Sequence, residues 1–163
     1  MSEDRPPLDP QHSFLERGGL WVLVQAGLLA AVAGLAVKFP GARPRLGFIV
    51  PGALLLALGG AVGLAGALAL RANLTPFPRP RADSDLVQHG IYARVRHPLY
   101  TSVMLASLGW ALAWQSLPAL AVALALVPFF HAKARREERW LRAQFPGYAD
   151  YEKRVKRFVP WVC

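Results

Sequence analysis

Three clusters of polar side chains interrupt a largely apolar sequence, and any chemistry has to be built from them. The first is RVRHPLY, residues 94–100, where Arg94, Arg96 and His97 stand directly before Pro98. Proline suits the first position of a helix, because its φ is already helical and no N–H is wasted. The free N–H groups of that first turn carry the positive end of the helix dipole. Two arginines and a histidine add charge of the wrong sign for helix stability alone and the right sign for holding a carboxylate or phosphate. The same residues also read as arginines snorkelling from a membrane edge. The second cluster is REERWL, residues 136–141. Glu137 and Glu138 are the only acidic residues between Asp85 and Asp150. They read either as a salt-bridged, solvated helix face or as carboxylates that accept hydrogen bonds from hydroxyl or amino groups and sit near a cationic ligand. The third cluster joins Tyr148 and Tyr151 to Lys153, Arg154, Lys156 and Arg157. It reads either as a set of interfacial anchors or as an aromatic and cationic wall for a cofactor.

Other chemistries find no footing. No His or Cys spacing suits a metal, so no metal site is expected, and neither a P-loop nor a GxGxxG after a strand occurs. Cys163 is the single cysteine and stands last, so neither an internal disulfide nor a prenylation box is expected. The apolar runs carry no acid or base in mid-membrane, which argues against an ion or proton pathway. His131, at the border of such a run, reads as interfacial.

The elements that position these clusters are helices in a membrane. Of 163 residues 54% are hydrophobic, and they come in blocks. Leu20 to Val37 is apolar apart from Gln25, and Leu46 to Leu70 carries no charge. Both runs reach the roughly 18 residues expected of a transmembrane helix. Pro98–Trp114 and Leu117–Phe130 are shorter, are separated only by Gln115 and Ser116, and read as a tight hairpin. The expectation is an all-α, multi-pass membrane protein of about four transmembrane helices with a cytoplasmic helical C-terminal segment. Residues 1–70 would supply the N-terminal segment and two scaffold helices. Residues 71–163 would supply the loop, the hairpin and the cofactor-binding region of one structural domain. With both termini cytoplasmic, 16 of the 19 lysines and arginines lie inside and 3 outside, as the positive-inside rule requires. The net charge of +9 is then explained by anionic lipid headgroups as partners and does not call for nucleic acid. Residues 1–19 are not expected to be a signal peptide. The Ala, Gly, Leu and Arg bias fits a bacterial inner-membrane protein.

Within this frame Gly59 and Gly63 form a GxxxG pair, read as close packing inside the bundle rather than as a dimer face. Pro76, Pro78 and Pro80 forbid a helix between residues 73 and 90, and the apolar content there (Leu74, Phe77, Leu86, Val87) favours an ordered loop. The fourth helix is expected to run past His131 as an amphipathic extension with Trp140, Leu141 and Phe145 on or near one stripe. Pro146-Gly147 ends it, a short helix follows in YADYEKRVKRF, and Pro160-Trp161 closes the chain.

The order of these pieces resembles the isoprenylcysteine carboxyl methyltransferase family and its relatives, the bacterial phospholipid N-methyltransferases. The G-x-Y-x-x-x-R-H-P-x-Y pattern is matched by Gly90, Tyr92, Arg96, His97, Pro98 and Tyr100. E-E-x-x-L is matched by Glu137, Glu138 and Leu141, and F-x-x-Y-x-x-Y by Phe145, Tyr148 and Tyr151. The resemblance covers roughly residues 70–161. It implies an integral-membrane enzyme using S-adenosylmethionine in a cytoplasmic pocket, with Arg96, His97, Pro98, Tyr100, Glu137, Leu141, Tyr148 and Tyr151 around the cofactor. Glu138 would help bind the sulfonium, and Arg136 or Arg154 would orient a carboxylate or thiolate acceptor. The acceptor would be lipophilic and membrane-embedded. The sequence departs from the family at Ser102, where many relatives carry glycine. Two other readings stay open: a sterol-reductase-like enzyme using NADPH, and a non-catalytic membrane scaffold that keeps the motif.

Overall fold

A computed structural model describes residues 14–43, 45–79 and 84–159. The N-terminal residues 1–13, Pro80 and Arg81 in the loop, the closing Pro160-Trp161 and Cys163 lie outside the described residues. The fold is all-helical: α1 (Gly19–Lys38), α2 (Leu46–Leu70), α3 (Pro98–Ala113), α4 (Leu117–Gln144) and α5 (Tyr148–Arg154), with single 3-10 turns at Arg71–Asn73 and Gly90–Ala93. Among the described residues there is no strand, and one isolated parallel bridge pairs Val95 with Lys156.

Three of these helices, α1, α2 and α4, are long and apolar enough to cross a membrane. α3 is shorter than a full span. Its 16 residues reach about 24 Å at 1.5 Å per residue, against a hydrocarbon core of about 30 Å. It turns back at Gln115, which adopts φ 54°, and Ser116 caps α4 by accepting from the Ala119 N–H at 3.5 Å. α4 is one continuous helix of 28 residues that carries Pro128 within it. Large apolar side chains such as Leu20, Leu54, Leu64, Leu68 and Leu117 are exposed, which suits a surface solvated by lipid.

Glycines set the closest approach in the bundle. A Cβ on Gly59 would stand 2.9 Å from the Ser102 carbonyl oxygen, and one on Gly52 would stand 2.7 Å from the Ala113 nitrogen. Gly109 faces back at Gly52 and Leu56 in the same way. The GxxxG pair therefore packs inside the chain, against α3. Ser102 uses the room left at Gly63, and its hydroxyl donates to the Gly59 carbonyl at 2.7 Å. The departure at Ser102 is thus an interhelical hydrogen bond, of the kind that holds helices together in lipid, and it faces α2.

The described part of the Pro-rich loop is ordered by packing. Pro78 is buried against Gly18, whose φ of 88° and lack of a side chain admit it. Phe77 meets Phe14 edge to face at 5.6 Å, and Arg17 lies over the Phe77 ring. Asn73 Nδ2 donates to the Asp85 carbonyl at 3.2 Å, tying the two ends of the loop together.

Candidate cofactor cavity

The chain after α5 returns beside the segment that opens α3. Arg96 N–H donates to the Lys156 carbonyl at 2.9 Å, and His97 N–H to the Arg157 carbonyl at 3.0 Å. The Thr101 hydroxyl donates to the Phe158 carbonyl at 3.0 Å. These backbone ties place Arg96, His97 and Arg157 around one point, which α4 fills with a carboxylate.

That carboxylate is Glu138, 1% exposed. Arg157 donates to it twice, Nε to Oε1 at 2.9 Å and Nη2 to Oε2 at 2.5 Å. Arg96 Nη2 lies 3.1 Å from Oε1, and His97 Nε2 donates to Oε1 at 3.1 Å. A buried ionised carboxylate is tolerated only when paired and hydrogen-bonded in this manner. The anion that the basic start of α3 attracts is therefore, first of all, the protein's own. Arg157 Nη1 also donates to His131 Nε2 at 3.1 Å.

Glu137 stands in a different environment. Its Oε2 accepts from the Tyr100 hydroxyl at 2.5 Å and lies 3.7 Å from His97 Nδ1. The imidazole of His97 stands between the two carboxylates and stacks on the Tyr100 ring, 5.2 Å between centroids at 4°. Glu137, His97 and Tyr100 line a cavity together with Arg96, Tyr92, Leu141, Phe145, Tyr148 and Tyr151. Its far wall is the loop, through Asn73, Thr75, Phe77, Ser84, Asp85, Leu86 and Val87, with Leu70 and Leu99 from the facing ends of α2 and α3.

α5 supplies two tyrosines with different hydrogen bonding. The Tyr151 hydroxyl donates to the Tyr92 carbonyl at 2.6 Å. The Tyr148 hydroxyl is buried with no partner among the described residues, and so is Nε of Arg96. Burial raises the pKa of both tyrosines, so both hydroxyls stay protonated at any working pH. Outside the cavity Glu152 accepts from Arg142 Nη2 at 2.7 Å and from Arg96 Nη1 at 3.3 Å, which joins α4, α5 and the start of α3. The hydrogen bond from Arg142 is the largest cause of its lowered pKa.

Of the residues singled out in the sequence, Arg96, His97, Tyr100, Glu137, Leu141, Tyr148 and Tyr151 are brought together at the cavity. Pro98 is buried as the first residue of α3 and does not line it. Glu138 lies behind the wall in the ion cluster. Arg136 stacks on Trp140 and lines a separate groove with Trp21, Pro128, His131, Arg135 and Arg139. Arg154 donates to the Asp150 carbonyl and to Gln88, away from the cavity. Sequence reasoning named Arg157 only as a member of the third cluster and did not single out Lys133. Arg157 stood in a basic run with nothing to distinguish it. Tyr92 lay inside the quoted motif without a role.

An all-helical membrane protein with this cavity shares the intramembrane methyltransferase fold. The structure of the eukaryotic intramembrane Ras methyltransferase ICMT (isoprenylcysteine carboxyl methyltransferase) superposes with a TM-score of 0.68 at 23% identity, over 89% of this chain and 53% of that one. The phospholipid methyltransferase family model matches residues 48–147, and the chain belongs to that family. Two curated relatives are similar along most of its length. One is the cobalt-zinc-cadmium resistance protein CzcN of Cupriavidus metallidurans, 33% identical over 151 residues, which are 91% of this chain and 66% of that protein. The other is the nickel-cobalt-cadmium resistance protein NccN of Alcaligenes xylosoxydans xylosoxydans, 30% identical over 155 residues, 93% of this chain and 68% of that protein. The chain thus spans about two thirds of the curated relatives it matches and about half of the solved structure.

Proposed function

We propose that the protein transfers a methyl group from S-adenosylmethionine to a lipophilic, membrane-embedded acceptor, with the cofactor held in the cavity at the cytoplasmic face of a bacterial inner membrane. The observation that carries this reading is the Tyr148 hydroxyl, buried and unpartnered on a wall it shares with Glu137, His97 and Arg96. A buried hydroxyl without a partner costs free energy that a ligand can return. The residues present suit this cofactor. Tyr148 Oη and Arg96 Nε have no partner among the described residues, and an arginine is suited to a carboxylate. Tyr92, Tyr100, Phe145 and Tyr151 offer aromatic surface, and Glu137 offers negative charge.

When bound, S-adenosylmethionine supplies an electrophilic methyl group on a positively charged sulfonium. Transfer of that group needs alignment more than acid or metal, and the chain's contribution is mainly positional. Glu137, oriented by the Tyr100 hydroxyl, favours a cation in the cavity. His97 is held by Glu138, and Glu138 by Arg157 and Arg96, so Glu138 and Arg157 fix the Arg96 and His97 wall from behind without lining the cavity themselves. Arg136 and Arg154 fall outside the transfer site in this reading. The acceptor is a lipid headgroup, carboxylate or thiol that reaches the cavity from the bilayer. If a metal-resistance setting like that of the two relatives applies here, methylation of such an acceptor is the contribution this site would make to it.

Calorimetry in detergent tests the proposal. Micromolar binding of S-adenosylhomocysteine, weakened in Glu137→Gln and Tyr148→Phe, supports it. Binding of NADPH in its place would support a reductase, and binding of neither would remove both enzyme readings.

A further inference from the structure

Lys133 is the one basic residue of α4 that is fully buried, at 1% exposure, and among the described residues no carboxylate pairs with it directly. Its ammonium donates to Gln25 Oε1 of α1 at 2.6 Å and to the Pro76 carbonyl at 3.3 Å, and lies over the Tyr100 ring at 5.2 Å from the centroid. Gln25 is the sole polar residue of the α1 run. Lys133 therefore joins four elements: α4, α1, the Pro-rich loop and α3. Two of its contacts bear on the cavity. Pro76 lies between Thr75 and Phe77, which form part of the far wall, and Tyr100 donates to Glu137 on the near wall. Glu137 is one helical turn after Lys133 on α4, on the same face, so the cation sits behind the Tyr100–Glu137 pair.

We infer that Lys133 is a positioning residue for the cavity, tying Pro76 and Tyr100 to the bundle so that the loop wall and the Glu137 wall keep a fixed separation. This rests on the methyltransferase reading of the cavity. The energetics separate positioning from plain structural support. An ammonium taken out of water without a direct ion-pair partner is costly. Replacing it with an apolar chain of similar length is neutral or favourable for the bundle. What is lost is the tie to the loop and the cation over Tyr100.

The test uses the full chain in detergent with Lys133→Met, and the double variant Gln25→Leu with Lys133→Met, which also removes the amide left behind. Hydrogen exchange is followed over residues 74–79 and over α2, beside S-adenosylhomocysteine titration and thermal melting. The expected result is faster exchange confined to the loop, S-adenosylhomocysteine binding at least about fivefold weaker, and a melting temperature equal to or above that of the parent. Unchanged exchange at 74–79 in both variants overturns the inference. So does a lowered melting temperature with faster exchange throughout the bundle, which marks ordinary structural support. If the parent chain binds no S-adenosylhomocysteine, the methyltransferase reading fails, and loop exchange alone decides whether Lys133 holds the wall.

Discussion

Arg157 and Glu138 form a two-pronged ion pair between the returning C-terminal segment and α4, with donor–acceptor distances of 2.9 Å and 2.5 Å. Glu138 also holds His97 and Arg96, so the pair fastens the start of α3 as well. Removing one partner strands a buried charge, which typically costs about 3–5 kcal/mol. Arg157→Ala is expected near the lower end, because Glu138 keeps Arg96 and His97 as partners. Glu138→Ala strands Arg157 and Arg96, removes the partner of His97, and is expected to cost more. Thermal unfolding in one detergent should rank the melting temperatures as parent, then Arg157→Ala, then Glu138→Ala. The reverse order for the two variants would contradict the geometry.

Glu137 should behave differently from its neighbour. Its partners are Tyr100 and, at longer range, His97, and it faces the cavity. Glu137→Gln keeps the shape and removes the charge. A hydrogen bond to a charged group is worth about 1.5–3 kcal/mol, so S-adenosylmethionine binding should weaken by about 10- to 100-fold with little change in melting temperature. Titration of the two ligands separates charge from shape. The loss should be larger for S-adenosylmethionine, whose sulfur is cationic, than for S-adenosylhomocysteine, whose sulfur is neutral.

Tyr148→Phe removes a hydroxyl that has no partner among the described residues. Folding stability should hold or rise, since a buried unsatisfied group is lost. Ligand affinity should fall by about 0.5–1.5 kcal/mol, which is a few-fold to about tenfold. Tyr151→Phe, which loses its bond to the Tyr92 carbonyl, should show the opposite balance: lower stability and a smaller change in affinity.

Glu152 carries the pH prediction. Its folded pKa is lowered, chiefly by the hydrogen bond from Arg142. A lowered carboxylate pKa adds stability that is fully present above the unfolded value of about 4.3. That stability is lost as pH falls through the lower folded value. Melting temperature should therefore be flat in this respect from pH 7 to about 5 and decline below about 4. Glu152→Gln should lower the plateau and flatten part of the acid decline. Arg142 is half-exposed, and solvent screens the pair, so the effect is modest.

The glycine seam between α2 and α3 gives a steric prediction with an internal control. A side chain at Gly59 meets the backbone of Ser102 and Ala106, whereas one at Gly60 meets nothing within 4 Å. Gly59→Leu should force the helices apart and lower the melting temperature by several degrees, and Gly60→Leu should not. Ser102→Gly should lower stability through the lost bond to Gly59 and leave ligand binding unchanged.

Much of this architecture was legible because a membrane leaves few alternatives. Uncharged runs of sufficient length must be helices, so α1, α2 and α4 could be placed from Leu20, Leu46 and Leu117 onward. Prolines 76 and 78 excluded helix from the loop by stereochemistry. α3 was harder, since composition does not distinguish a 16-residue helix from a full span. At the site, the sequence brought forward the residue types that now line the cavity, but not how Glu137 and Glu138 divide. Consecutive helical residues point about 100° apart, so one faces the cavity and the other the ion cluster. Which one does so depends on where Arg157 returns, a contact across 19 positions that no local pattern encodes. Arg136 and Arg154 had the right charge and lie on other faces. Gln25 stood out only as a polar residue in an apolar run and Lys133 was one of a basic segment; their meaning lies in their meeting.

The most direct measurement of the central claim is calorimetric titration of the full chain with S-adenosylhomocysteine, with Tyr148→Phe and Glu137→Gln in parallel. The account predicts one site per chain at micromolar affinity, weakened in both variants while their melting temperatures hold. Absence of binding by a folded parent chain, or binding indifferent to both substitutions, would contradict it.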